Sequence, residues 1–253
     1  MSVSRNSMSK ATDMRANTLV SAKIASLNVG KSKPLAYRDR HIQSGFVKAS
    51  VSNSVWLSET GLDGDEQADL SVHGGVEKAV CVYSSKHYPY WEQRLGRKLP
   101  EAAFGENFTT EGLTEPEVCI GDIFRVGAPG HGPIVQVSQP RQPCFKLGAR
   151  HNVAKLVLWV QESGATGFYF RVLETGEVRA GDAITLMERL HPRASVAEAN
   201  RVMHQDKRDL EGTKQLLTIP ELTPSWRRTL TKRLSGDLED ASARIEGPLE
   251  TSG

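Results

Sequence analysis

Cysteine is scarce in this chain. Cys81, Cys119 and Cys144 are the only three in 253 residues, and none stands in a CxxC pair. An odd, sparse set of this kind excludes a disulfide scaffold and a cluster held by four cysteines of the chain itself, and it suits a reducing cytoplasm. Long apolar runs are missing too, so no membrane partner is expected. The formal net charge of +2 is too small to point to nucleic acid. HExxH and GxSxG patterns are absent, the glycines between 127 and 133 match neither a GxGxxG fingerprint nor a P-loop, and no pyridoxal phosphate chemistry is expected. A zinc deaminase is excluded because Leu147 stands where a second cysteine would follow Pro143-Cys144, and His73 has no glutamate two residues on. The acids Asp63, Asp65, Glu66 and Asp69 suggest calcium, but Ala68 and Gly74 occupy positions where an EF-hand loop needs Gly and Glu.

What is present reads as an ordinary globular protein, with 38% hydrophobic and 25% charged residues, which argues against disorder. Residues 1–20 carry Arg5, Lys10 and Arg15 without an apolar core, which predicts a flexible leader rather than a secretory signal. Strands are predicted at Lys23–Val29, Phe46–Val51, Ala79–Tyr83, Gly121–Val126, Pro133–Ser138, Gly167–Leu173 and Glu177–Met187. Lys31 to Pro34 reads as a turn, Gly61 to Gly75 as a loop, and Tyr88–Leu95 and Asn152–Glu162 as helices. Many short strands with Gly and Pro punctuation predict a closed or strongly curved β structure over 21–190.

The pattern then changes. Ser195-Val196-Ala197-Glu198 is a capping box, Asp209–Leu217 reads as helical, and Thr223-Pro224 sets a cap and an N1 proline. Leu222, Trp226, Leu230 and Leu234 then recur every four residues, while Arg227, Arg228, Lys232 and Arg233 lie off that stripe as a basic face exposed to solvent. A three-helix domain over 195–240 follows, with a flexible tail over 241–253.

The most informative stretch is VQVSQPRQPCFKLG, 135–148. Alternating apolar residues end at Pro140, and the loop beyond holds Cys144 between Arg141 and Lys146 behind two prolines. Positive charge of that kind favours a thiolate, the form that acts as nucleophile or soft metal ligand. Cys81, in a compact apolar strand, reads as core. His73 on its Gly-Gly turn fits either a ligand donor or a surface residue, Asn107 in FGENF either a site group or a loop stabiliser, and Lys48 either an oxyanion partner or a solvated lysine.

SQPRQPC resembles the cysteine loop of MOSC domains, the molybdenum-cofactor sulfurase C-terminal family. GLDGDEQADLSVHGG (61–75), KAVCVYSSKHYPYW (78–91), FGENFTTEGLTEPEVCIGDIFRVG (104–127) and WRRTLTKRLSG (226–236) extend the resemblance in collinear order to the stand-alone bacterial branch associated with hydroxylaminopurine resistance. The resemblance implies a mainly β MOSC barrel with short helices and a molybdenum cofactor (molybdopterin). Cys144 would supply a thiolate to molybdenum. Lys48, His73, Asn107 and Arg141 would line the cofactor pocket, with Cys144, His73 and Asn107 catalytic. The implied reaction is reduction of a small N-hydroxylated substrate to an amine, with electrons from a separate flavin or iron-sulfur reductase. A homodimer is allowed for. Two other readings stay open: a metal-free enzyme whose Cys144 nucleophile is activated by His73 or His151, and a cofactor or sulfur carrier without turnover.

Overall fold

The computed structural model describes residues 21–69 and 74–247. Its strands are β1 (Ser21–Val29), β2 (Lys33–Tyr37), β3 (Arg40–Ser44), β4 (Ala49–Ser50), β5 (Val55–Ser58), β6 (Gly61–Leu62), β7 (Val80–Ser84), β8 (Phe108–Glu111), β9 (Ile123–Val126), β10 (Ile134–Pro140), β11 (Phe168–Glu174), β12 (Gly176–Val178) and β13 (Ala183–Glu188). The helices are α1 (Tyr88–Leu95), α2 (Phe145–His151), α3 (Leu156–Ser163), α4 (Val196–Asn200), α5 (Leu210–Leu217), α6 (Pro224–Leu234) and α7 (Ser242–Glu246).

Seven strands close on themselves in the order β1, β13, β9, β10, β11, β7, β8 and back to β1. Closure removes the unpaired edges that an open sheet would present. All these pairings are antiparallel except β7 with β8, which run parallel because α1 carries the chain between them. The barrel interior is apolar: Ile24, Leu27, Phe108, Phe124, Val137 and Phe170 have no exposed surface.

Local sequence explains several departures from expectation. Lys33 to Pro34, read as a turn, instead begins the hairpin β2–β3, where Pro34 opposes Gln43. The strand expected over Phe46–Val51 shrinks to Ala49–Ser50, since Phe46 to Lys48 leave the sheet to form a wall of the cleft described below. Gly181, at φ +92°, splits the run Glu177–Met187 into β12 and β13. Asn152, at φ +54°, caps α2, a helix not expected from the sequence, and the helix expected over Asn152–Glu162 begins later, as α3. The strand β8 carries too short a pattern to be read beforehand.

Ser195 Oγ accepts the Glu198 amide (3.0 Å), Asp209 caps α5, and Thr223 with Pro224 opens α6. These helices do not form a separate core. Val196, Val202, Leu216, Leu222, Trp226 and Leu230 belong to the same buried cluster as the barrel interior. The expected basic face is largely dismantled. Arg227 donates to the Leu222 and Leu217 carbonyls (3.1 and 2.9 Å), and Arg233, almost fully buried, donates to those of Val202 and Met203 (2.9 and 2.6 Å). Both arginines satisfy carbonyls left free near the ends of preceding helical segments; only Arg228 and Lys232 of the four are exposed. Leu234, on the apolar stripe, is 41% exposed. Residues 242–246, expected within a flexible tail, form α7. No helix among the described residues is long and apolar enough to cross a membrane.

Candidate functional site

A cleft of about 600 Å³, counting its open mouth, lies where Cys81 of β7, Tyr169 of β11 and the segment after β10 meet the Ser44–Lys48 and Glu66–Ala68 loops. Its two walls differ in how their polar groups are satisfied.

One wall is closed on itself. Lys48 Nζ pairs with Asp65 Oδ1, and both side chains are nearly fully buried. Asp65 also accepts from Gly30 N (2.9 Å), Gln67 Nε2 (3.0 Å) and Asn107 Nδ2 (2.9 Å). Asn107 Oδ1 accepts the Cys81 amide (3.1 Å), and its Nδ2 also donates to the Asn28 carbonyl (3.2 Å). A buried charge pair of this kind holds only when its remaining lone pairs are met, which is the case here. Lys48 thus has a counter-ion within the protein while it lines the cleft. The Asn107 amide makes its hydrogen bonds within the protein while the residue lines the cleft.

The facing wall is left open. Strand β10 runs to Pro140, Arg141 N donates to the Gly167 carbonyl (3.0 Å), and Cys144 then serves as the N-cap of α2 with extended φ and ψ of −127° and 167°. Cys144, expected in an irregular loop, thus stands directly before a helix. It is 7% exposed and lines the cleft. Arg141 is 4% exposed, its guanidinium lies over the Phe46 ring at 5.5 Å, and its Nη1 is buried without a hydrogen-bond partner among the described residues. Burial works against its charge, yet Cys81, Tyr169 and Cys144 hold it above the ordinary arginine value. Lys146 also lines the cleft and makes no ion pair among the described residues.

Neutral groups complete the cleft. Cys81, expected in the core, is buried there but borders the cavity; burial pushes its thiol up to about 11 despite the opposing charge of Arg141. Tyr169, unremarked in the sequence, lines the same floor, and burial raises its hydroxyl well above the ordinary tyrosine value. Both stay protonated at neutral pH. Asp65 carried one sequence signal, its place in an acidic turn that calcium spacing did not explain.

The residues expected to act together are only partly gathered. Cys144, Arg141, Lys48 and Asn107 share the cleft, whereas His73 lies outside the described residues. His151 does not serve Cys144: its Nε2 lies 2.7 Å from the Ala103 carbonyl and its Nδ1 3.4 Å from Arg97. Burial lowers its basicity further. Among the described residues no three His, Cys, Asp or Glu side chains gather into a metal-binding group. A metal carried in by an organic cofactor needs fewer protein ligands, and a single thiolate suits it.

The chain matches the MOSC domain over residues 69–185 and the YiiM-like, 3-alpha helix domain over residues 195–237. It is 47% identical over 210 residues to the uncharacterized protein YflK of Bacillus subtilis, covering 83% of this chain and 93% of that protein. The crystal structure of YiiM from Geobacillus stearothermophilus superposes with a TM-score of 0.71 at 38% identity, covering 84% of this chain and 99% of that one. A protein named reductase from Gibberella moniliformis is 39% identical over 168 residues, 64% of this chain but only 29% of that longer protein. Matched in both of its parts and along nearly the whole length of such relatives, the chain belongs to the MOSC-domain family, among the stand-alone bacterial proteins that carry a YiiM-like three-helix domain.

Proposed function

We propose that the protein is a cytoplasmic, molybdenum-cofactor-dependent oxidoreductase that reduces small N-hydroxylated compounds, such as hydroxylaminopurine, to amines. One observation carries this reading: Arg141, nine-tenths buried with an unpartnered Nη1, stands on the same wall as Cys144 and Lys146. A buried cationic nitrogen without a hydrogen-bond partner among the described residues is costly, and it fits a site whose anionic ligand arrives from outside. A pterin cofactor with its phosphate and dithiolene sulfurs is such a ligand.

Bound there, the cofactor would supply a metal centre that exchanges two electrons. Cys144 would provide the protein thiolate, held at the start of α2 by the turn through Pro143. Arg141 and Lys146 would bind the anionic parts of the cofactor. The Lys48–Asp65–Asn107 network keeps the opposite wall rigid, and the protonated Cys81 and Tyr169 offer neutral donors to a polar substrate. The balanced reaction is R–NHOH with two electrons and two protons giving R–NH2 and water, the electrons coming from a separate flavin or iron-sulfur reductase. The fungal relative's name, reductase, supports the same reaction class. The metal-free cysteine enzyme loses one of its two candidate bases, since His151 is engaged elsewhere.

The test is turnover of hydroxylaminopurine to adenine by cofactor-loaded protein with a purified reductase, beside Cys144→Ser. Turnover by the wild type and its loss in the variant are expected. Equal rates in the two would overturn the role of Cys144, and no turnover of any N-hydroxylated compound would overturn the reaction.

A further inference from the structure

Helix α7 lies beyond residue 237, outside both matched domains. It nevertheless bonds to the segments that lead into both walls of the cleft. On the cysteine side, Arg244 Nη1 donates to the carbonyl of Pro143, the residue directly before Cys144, while Nη2 donates to Gln161 Oε1 (2.8 Å) in α3. On the opposite side, the Glu246 carbonyl at the end of α7 accepts from Tyr37 Oη and from Arg38 Nη2 (3.1 Å). Both residues lie in the hairpin that leads, through β3, into the Ser44–Lys48 wall.

Packing ties these two ends together. The Tyr37 ring sits 4.8 Å from that of Phe145, the residue after Cys144. Gly247, at φ +77°, fits where a Cβ would stand 2.6 Å from Tyr37 Oη and 3.0 Å from the Phe145 ring, so the chain passes tightly between the two walls. Ile245 packs against the cluster that contains Leu147 of α2. Arg244 is largely removed from solvent, and burial holds it below the ordinary arginine value, as for a cation placed for its hydrogen bonds rather than for water.

We propose that α7 is a latch between the two walls of the cleft, and that Arg244 is a positioning residue which fixes Cys144 through the Pro143 carbonyl. The planar guanidinium spans Pro143 and Gln161 at once, which a lysine ammonium on a flexible stem does not reproduce. Without that bridge the Pro143 carbonyl loses its partner, and the cysteine turn is held only by its prolines and by α2. The functional importance of Cys144 rests on the reading above, but the latch itself does not depend on any cofactor.

The experiment therefore uses cofactor-free, full-length protein. Iodoacetamide labelling is read site by site by mass spectrometry in the wild type, Arg244→Lys and Tyr37→Phe. Arg244→Lys keeps the charge and loses the two-pronged bridge, so a threefold or greater acceleration at Cys144 is expected, with Cys81 and Cys119 unchanged. Tyr37→Phe breaks the other end of the latch and is expected to accelerate Cys144 by a smaller factor. Unchanged labelling of Cys144 in both variants would overturn the proposal. So would equal acceleration at all three cysteines, which marks general loosening rather than a latch. In cofactor-loaded protein, Arg244→Lys is expected to lower kcat several-fold with KM unchanged. Should the protein prove free of molybdenum, the labelling result still decides the latch, and only its link to catalysis falls.

Discussion

The Asp65 wall and the Cys144 wall of the cleft are built from similar polar residues and reach opposite electrostatic outcomes. On the first, Lys48 has its aspartate and Asp65 has four donors, so every charge is met within the protein. On the second, Arg141 keeps a buried nitrogen with no partner and Lys146 has no counter-ion among the described residues. A protein bears an unmet buried charge only where something else offsets the cost, and a bound anion does so. The first wall is satisfied within the protein, and the second is the one to which the proposed function assigns a ligand.

That contrast breaks in a definite order. Asp65→Ala should have the largest effect on folding: it strands the buried Lys48 ammonium and removes acceptors from three other donors, for a loss of roughly 3–5 kcal/mol in urea unfolding. A loss below about 1 kcal/mol would mean the network is not the wall's support. Asn107→Ala should cost about 2 kcal/mol, because it frees the Cys81 amide and the Asn28 carbonyl in a buried setting. Arg141→Met should do the reverse, leaving cofactor-free protein as stable or about 1 kcal/mol more stable while cofactor retention falls by tenfold or more. Cys144→Ser should change stability least, within about 0.5 kcal/mol, since the side chain borders the cavity. In the folded wild type at pH 8, Cys144 should be alkylated faster than Cys81 and Cys119, whose thiols burial pushes up to about 11.

Much of the second wall was legible in the residues. The prolines, Arg141, Cys144 and Lys146 are contiguous, and contiguous signals survive without knowledge of the fold. The first wall was not, because Asn28, Lys48, Asp65 and Asn107 lie far apart in the chain and only barrel closure joins them. The contacts that join Asn107 and Lys48 to Asp65 are long-range, and no local pattern encodes them. The caps at Ser195 and Thr223 could be read because capping is a matter of three or four neighbouring residues. The fate of Arg227 and Arg233 could not, since their helical spacing suggests a solvated face and only the packed helices bring the free carbonyls within reach. Helix α7 escaped for the same reason: five residues hold too little pattern, and its anchors, Pro143 and Tyr37, are about a hundred and two hundred positions away.

Molybdenum and pterin content, measured on the wild type, Cys144→Ser and Arg141→Met from a host rich in the cofactor, with a cofactor-deficient host as control, tests the contrast most directly. Molybdenum and pterin together are expected in the wild type, with loss or weakening of metal retention in Cys144→Ser and little pterin in Arg141→Met. Equal absence of molybdenum from the wild type in both hosts would contradict it.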